Sequence, residues 1–249
     1  MFWWEGHGPG DLRVAFTDTS AGNLALHVGD DAGAVQRRRR ALEEHMGVQP
    51  GALQFMEQVH SPTVAQVPAA ARDRDAEAAP PVADALVSSD GSVPLAVMVA
   101  DCLPVLLAGT STGGTPVTAA AHAGRRGLLD GILPNTVQAM RDAGARSLAA
   151  WIGPSVCGRC YEVPEAMLAD AAHLPGAASQ TSWGTPALDL PGAAALQLSA
   201  LGVSVIRLPG CTMEEPALFS HRRDAPTGRF AGLIWHRQTK EQKLPVSRR

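Results

Sequence analysis

MVADCLPVLLAGTSTGGTPVTAAAHAGRRGLLDGIL, residues 98–133, contains two apolar runs of strand length separated by a turn rich in Gly, Ser and Thr. Short apolar runs bounded by such turn residues predict β-strands, here PVLLAG and PVTAAAH. Cys102 precedes the first run and His122 ends the second. Because side chains at strand ends converge on pockets in layered α/β folds, this stretch predicts both the core of the sheet and a site at its edge.

Further elements are predicted outward from this stretch by the same criteria. Apolar periodicity and end signals predict helices over AGAVQRRRRALEEHMGV, 128–143, 164–172 and 189–201. Strands are predicted at 12–16, 24–28, ALQFMEQVH, DALVSS, PLAVMVA, LAAWIGP, VSVIRL and FAGLIWHR, with RDRDAEAAPPVA as a polar loop.

Several of these strands follow one another directly, without a regular βαβ alternation. That order favours an α/β or α+β fold with mixed sheets over a doubly wound parallel sheet. We find no internal repeat and no linker, so we expect one catalytic domain over 1–249, with 240–249 as a charged tail.

Composition excludes some partners. The 249 residues are 45% hydrophobic and 18% charged, with a net charge of −3, which gives no reason to expect nucleic acid or an anionic membrane as a partner. The first residues, MFWWEGHGPGDL, lack the basic and apolar regions of a signal peptide. Four cysteines are too few for a disulfide scaffold of this size. We therefore expect a cytoplasmic protein.

Three residues have the chemistry of a metal site. His60, Cys102 and His122 each lie at or just beyond the end of an apolar run. Two imidazoles and one thiolate are a known catalytic zinc pattern, because three protein ligands leave the fourth position for water or substrate. Spacing alone leaves open the alternative that the three are unconnected structural residues, since no local motif such as H-E-x-x-H joins them.

Other residues are candidates for binding anions or carrying protons. Arg126 opens a predicted helix, and Arg222 and Arg223 form a basic pair; each can bind phosphate or carboxylate, or can be a solvated or salt-bridged side chain. Asp101, Glu57 and Glu162 are the candidate proton carriers, and the sequence does not choose among them.

Cys157 and Cys160 form a CxxC, the spacing of a zinc half-site or a redox dithiol. No second CxxC accompanies them. We therefore interpret them as structural cysteines in a loop.

Five segments occur in an order that resembles the YfiH family, also called the laccase-domain or polyphenol oxidase family. They are QVHSPTV, ADALVSSDGSVPLAVMVADCLPVLL, TAAAHAGRRGLLDGIL, IGPSVCGRCYEV and LFSHRRDAPTGRFAGLIW. The resemblance covers nearly the whole chain. It implies a four-layer α/β/β/α fold, a zinc site on His60, Cys102 and His122, and a CxxC outside that site.

The chain also departs from the family pattern. Arg126 matches the family motif, but Arg125 stands where the family usually has Trp, and Thr19 where Arg is usual. If the Arg that Thr19 replaces contacts substrate in relatives, the resemblance implies a changed substrate range or activity here.

The resemblance implies phosphorolysis of purine nucleosides and methylthioadenosine, with adenosine deamination, so the expected partners are nucleosides and phosphate. The alternative it implies is a peptidoglycan-precursor editing hydrolase that removes L-Ser from a UDP-linked muramyl intermediate.

A copper polyphenol oxidase is disfavoured because the eight histidines include no His-x-His pair. A metal-free hydrolase with Cys102 as nucleophile and His122 as base is the remaining hypothesis. The oligomeric state is left open.

Overall fold

The computed structural model describes residues 1–8, 10–69 and 79–236; the predicted tail at 240–249 and most of the predicted polar loop lie outside them. The strands are β1 Phe2–His7, β2 Leu12–Thr17, β3 Val64–Val67, β4 Ala85–Ser88, β5 Leu95–Val99, β6 Leu103–Ser111, β7 Pro116–Ala123, β8 Ala145–Ile152, β9 Ala178–Gln180, β10 Pro186–Leu188, β11 Ser204–Arg207 and β12 Phe230–His236. The helices are α1 Ala32–Met46, α2 Arg125–Leu129, α3 Ile132–Asp142, α4 Glu165–Asp170, α5 Leu190–Ala200 and α6 His221–Asp224, with a short 3₁₀ turn at Thr19–Ala21.

The strands form two main sheets. One has four antiparallel strands in the order β1-β2-β12-β5. The other has six strands in the order β11-β8-β6-β7-β4-β3, parallel at its two outer pairs and antiparallel between them. β9 and β10 form a separate ribbon. This arrangement confirms the predicted α/β class with mixed sheets.

Successive side chains of each strand point to opposite faces of its sheet, and this produces three apolar layers. In β2, Leu12, Val14 and Phe16 face the other main sheet, whereas Ala15 faces the opposite way. The same alternation in β6, β7 and β8 sends one set of side chains between the sheets and the other towards α3 and α5. The two sheets therefore pack face to face between outer helices.

Helix α1 covers the four-stranded sheet. Its N-cap, Asp31, accepts the Ala34 N–H at 2.7 Å, and Gly47 ends it in the left-handed region at φ 71°. Leu42 and Met46 on its inner face are buried against that sheet. None of the helices within the described residues has the length and apolarity required to cross a bilayer.

Two predicted strands are wrong. Residues 24–28 are not a strand, because Arg39 donates two hydrogen bonds to the Leu24 carbonyl and the Asn23 side chain pairs with Ala25. ALQFMEQVH forms only isolated bridges, and the Gln58 amide instead pairs with the Met98 backbone. In both segments side chains occupy the backbone groups that a strand partner would use.

The predicted helix over 128–143 is two helices. α2 ends at Leu129 and α3 begins at Ile132. Gly131 between them has φ 94°, a left-handed conformation that interrupts a continuous helix.

Phe16 is fully buried where the two sheets meet, and it leaves no room for a side chain at Gly153. A Cβ on Gly153 would lie 2.2 Å from Phe16 Cε1. We expect Gly153→Ala to lower the free energy of unfolding by about 1–3 kcal/mol, as overpacked cores do, when measured by urea denaturation.

The smaller side chain in Phe16→Leu/Gly153→Ala should recover part of that loss relative to the sum of the single changes. Gly113→Ala is the matched control, since its Cβ would meet only Ser111 Oγ at 3.8 Å. Equal effects of Gly153→Ala and Gly113→Ala would contradict the packing.

Candidate active site

The structure brings His60, Cys102 and His122 together at one end of the six-stranded sheet. His60 lies in the segment before β3, Cys102 directly precedes β6, and His122 lies in β7 next to β6. One side-chain ligand atom from each lies within 4.8 Å of the others, and Cys102 Sγ is 3.7 Å from His60 Nε2. Pairing of β6 with β7 thus sets two of the three positions, and the loop carrying His60 supplies the third.

Asp84 at the start of β4 fixes both histidines. Its buried carboxylate accepts a hydrogen bond from His122 Nδ1 at 2.8 Å. The same carboxylate accepts the backbone N–H groups of Val59, His60 and Ser61 at 3.2, 3.0 and 2.6 Å. These bonds hold His60 at φ 61°, a conformation that non-glycine residues rarely adopt and that persists only where the surroundings enforce it.

The hydrogen bond from His122 to Asp84 also selects the nitrogen that faces the site. Because Nδ1 is used by the carboxylate, Nε2 is the nitrogen directed towards Cys102 and His60. This arrangement of carboxylate, imidazole and metal-binding position is the one that orients histidine ligands in zinc proteins.

Asp101, one of the candidate proton carriers, is held by hydrogen bonds from several loops and also lines the cavity described below. Its carboxylate accepts the Thr212 hydroxyl at 2.6 Å and the Arg222 backbone N–H at 2.7 Å, while its carbonyl accepts the Val156 N–H at 3.0 Å. Asp101 has φ 87° and precedes Cys102. It therefore joins three loops around the site and sets the turn that presents the cysteine.

The charges of the site are coupled. Burial alone raises the pKa of Asp84, but hydrogen bonds from His122 and Ser61 outweigh it and lower the pKa to about 2. Burial likewise opposes charge on Cys102 and His122, yet their attraction lowers the pKa of the thiol to about 6 and raises the pKa of the imidazole to about 9. The geometry therefore favours a thiolate beside an imidazolium at neutral pH.

A cavity of about 390 Å³ opens over these residues. Its polar lining outside the triad includes His27, Arg125, Tyr161, His221, Arg222 and Arg229. Apolar contacts come from Met98, Val99, Val156 and Leu190. A cavity that combines an apolar wall with convergent cationic and imidazole groups suits a small organic molecule together with an anion.

Only one of the three predicted substrate arginines lines this cavity. Arg222 places its guanidinium 4.4 Å from the Tyr161 ring centroid and donates to the Glu162 carbonyl at 2.8 Å. Arg126 is not among the lining residues; its side chain is 77% exposed and lies 3.7 Å from Asp130. Arg223 is also absent from the lining and donates to the carbonyls of a neighbouring loop.

The sequence analysis missed several residues of the site. Asp84 is the first residue of the predicted strand DALVSS, and a carboxylate at the end of an apolar run was the available signal. Arg229 lies just before β12 and lines the cavity, but its position in the sequence carries no comparable signal. Glu57 is not in the cavity lining, and the Glu162 carboxylate instead accepts the Trp183 indole N–H at 3.2 Å.

A second cluster contains the CxxC. Cys157, Cys160, Cys211 and Glu214 each offer a ligand atom, and these atoms lie within 4.8 Å of one another. The CxxC lies outside the His60–Cys102–His122 group, as the family resemblance implies, and its neighbours Cys211 and Glu214 were not predicted from the sequence.

Known proteins resemble this chain over most of its length. The family described as multi-copper polyphenol oxidoreductase laccase matches residues 14–237. A purine nucleoside phosphorylase of Streptomyces coelicolor is 47% identical over 86% of this chain and 87% of its own length. The crystal structure of YlmD from Geobacillus stearothermophilus superposes with a TM-score of 0.81 at 30% identity, over 95% of this chain and 99% of that one. YfiH from Bacillus licheniformis gives a TM-score of 0.79 at 25% identity, over 90% and 92%.

Gly124 allows His60 and Cys102 to approach each other. A Cβ there would lie 2.6 Å from His60 Cδ2 and 3.3 Å from Cys102 Sγ. We expect Gly124→Ala to displace the imidazole and to weaken zinc binding about 10- to 100-fold, as disruption around metal ligands does, when measured with a competing chelator. Gly113→Ala is again the control, and zinc affinity equal to that of the unchanged protein in both variants would contradict this role.

Cys102 should be the most reactive thiol of the metal-free protein. Since its pKa is lowered to about 6, we expect alkylation by iodoacetamide to be fast at pH 7 and to slow as the pH falls below 6, where the thiolate is protonated. Peptide mass mapping after chelation identifies the modified cysteine.

The variant Asp84→Asn tests the cause of that reactivity. Loss of the carboxylate should lower the pKa of His122 and so raise the pKa of Cys102, which slows alkylation at pH 7. A rate profile that does not change in this variant would show that Asp84 does not support the charge of the imidazole.

Proposed function

The chain belongs to the laccase-domain (YfiH) family, and on that basis we propose that it is a zinc-dependent purine nucleoside phosphorylase that also deaminates adenosine. The observation that carries the proposal is the single cavity that contains both the His60–Cys102–His122 triad and three arginines. A nucleoside phosphorylase requires room for an apolar base beside a site for phosphate, and this cavity offers both.

The triad fits zinc by its donor chemistry. Two imidazoles and one thiolate are preferred zinc ligands, and three protein ligands are the number found in catalytic zinc sites. Asp84 supplies the orienting hydrogen bond to His122 that such sites have. When bound, zinc supplies Lewis-acid polarisation and the activation of water.

Arg222, Arg125 and Arg229 are the residues proposed to bind phosphate. Guanidinium groups bind phosphate oxygens through paired N–H donors, and these three line the same cavity. The Tyr161 ring beneath Arg222 and the Glu162 carbonyl fix the direction of its guanidinium. In phosphorolysis, the bound phosphate oxygen attacks C1′ of the ribose while the bond from C1′ to the purine nitrogen breaks.

The purine is proposed to lie against the apolar wall formed by Met98, Val99 and Val156. The leaving purine takes up a proton, and the imidazoles of His27 and His221 are within the cavity lining. Burial lowers the pKa of His27, so its ring is neutral at pH 7 and both donates and accepts hydrogen bonds. Arg125 stands where the family usually has Trp, so the cavity lining carries an additional cation.

The proposal is tested by turnover of the purified, zinc-loaded protein. We expect the purine base and ribose 1-phosphate from inosine, guanosine and adenosine, and adenine with 5-methylthioribose 1-phosphate from methylthioadenosine, only when phosphate is present. We also expect inosine and ammonia from adenosine in the absence of phosphate, because deamination needs only water. Failure to turn over any of these nucleosides would overturn the proposal.

Arg222→Gln separates the two reactions. Loss of a charged donor should lower kcat/KM for phosphate about 10- to 100-fold and leave phosphate-independent deamination of adenosine nearly unchanged. Arg126→Gln is the matched control, because its side chain is outside the cavity lining. If Arg126→Gln has the larger effect on phosphate, the assignment of the arginines is wrong.

The arginine-lined wall also supports the alternative function, the editing hydrolase, because its UDP-linked muramyl substrate is anionic. In that reaction water cleaves the amide that joins L-Ser to the muramyl group. Comparison of the L-Ser and L-Ala precursors distinguishes the two functions, since selective release of L-Ser would favour editing and inertness of both would exclude it.

A further inference from the structure

The cluster of Cys157, Cys160, Cys211 and Glu214, called here the thiol cluster, lies away from the proposed catalytic residues. Cys157 and Cys160 come from the loop after β8, and Cys211 and Glu214 from the loop after β11. The thiol cluster borders a second cavity of about 350 Å³, whose lining shares no residue with the His60–Cys102–His122 triad.

The two halves of the thiol cluster have the same backbone geometry. Cys160 N–H and Tyr161 N–H donate to the Cys157 carbonyl at 3.0 and 2.9 Å. In the other half, the N–H groups of Glu214 and Glu215 donate to the Cys211 carbonyl at 3.0 and 2.8 Å. Cys-x-x-Cys and Cys-x-x-Glu therefore form two equivalent tight turns, each presenting its first and fourth side chains to the same point.

Further contacts hold the two turns against each other. Ser155 forms a β-bridge with Cys211, and the Thr212 N–H donates to the Ser155 carbonyl at 3.1 Å. The Cys157 N–H donates to Cys211 Sγ at 3.4 Å, and Cys160 Sγ lies 3.4 Å from a Glu214 carboxylate oxygen. Four ligand atoms from two loops thus converge, whereas a disulfide would use two sulfurs and leave the third thiol and the carboxylate without a role.

The distances match a tetrahedral metal site. Zinc–sulfur bonds of about 2.3 Å place tetrahedral sulfurs about 3.8 Å apart. The ligand atoms of the thiol cluster are all within 4.8 Å of one another, so a small contraction brings them to that geometry. Three thiolates and a carboxylate around a divalent ion have a net charge of −2, and Arg159 and Arg207 line the adjoining cavity, where they offset it.

We propose that Cys157, Cys160, Cys211 and Glu214 bind a structural zinc ion that is separate from the His60–Cys102–His122 site. Four protein ligands close the coordination sphere, which is the property of structural rather than catalytic zinc. This inference goes beyond the proposed activity and does not depend on it.

The position of the thiol cluster explains what such an ion stabilises. Tyr161 follows Cys160 and lies under the guanidinium of Arg222. Thr212 follows Cys211 and donates its hydroxyl to Asp101, which sets the turn before Cys102. The ion would therefore fasten two loops that form one wall of the catalytic cavity.

The test is the zinc content of the full chain after dialysis against zinc-free buffer. We expect about two zinc ions per chain in the unchanged protein, one in Cys102→Ser and one in Cys160→Ser. Glu214→Gln should release its second zinc to a chelator sooner than Glu215→Gln, the matched control on the adjacent acid. Equal release from these two variants would overturn the role of Glu214 as a ligand.

Cys102→Ser keeps the proposal testable if Cys160→Ser does not fold, because it leaves the thiol cluster intact. Loaded with cobalt, it should show a sulfur-to-cobalt charge-transfer band about three times as intense as that of one thiolate, since three thiolates remain. A metal-free Cys102→Ser protein, or an intact mass two hydrogens lighter than the reduced chain, would overturn the proposal. Neither result would bear on nucleoside turnover by the unchanged protein.

Discussion

The Asp84 carboxylate is the constraint on which the arrangement of the site depends. It is fully buried, and it accepts hydrogen bonds from the ring of His122 and from three consecutive backbone N–H groups around His60. A buried ionised carboxylate is stable only because the groups that contact it donate hydrogen bonds to it. One side chain therefore fixes the ring of His122 through its nitrogen and the loop of His60 through its backbone, so both imidazoles are held beside Cys102.

Asp101 extends this order from the triad to the cavity wall. Through Thr212, Arg222 and Val156 it joins the segments after β8, after β11 and at α6. The two acidic residues nearest the triad thus orient other groups, and Asp101 also lines the cavity together with imidazoles and guanidinium groups. The thiol cluster lies behind the same wall, and its two turns carry Tyr161 and Thr212 into it.

The sequence predicted the central strands of the fold for physical reasons that are visible in particular segments. The grouping of His60, Cys102 and His122 came from the family resemblance, because spacing alone left it open. Strands β4 to β8 are short apolar runs between turn residues, and each formed near its predicted bounds. β1 was missed because its FWWEGH sequence has no alternation, and its strand structure depends on pairing with β2. ALQFMEQVH is rich in apolar residues, but its Gln58 side chain pairs with the Met98 backbone, which no local pattern reveals. Arg126 and Arg222 look equivalent in sequence, and only the direction in which each helix projects its side chains distinguishes them.

The order of strands in the four-stranded sheet has a consequence for how the chain is assembled during synthesis. β12 lies between β2 and β5, so a strand made after the other three of its sheet fills the middle of that sheet. Until Phe230–His236 leaves the ribosome, β2 and β5 lack the strand that pairs with both of them. The buried cluster that contains Phe16 also lacks Phe230. A nascent chain that stops short of this strand exposes two unpaired strand edges, and such edges favour aggregation and recognition by chaperones and proteases.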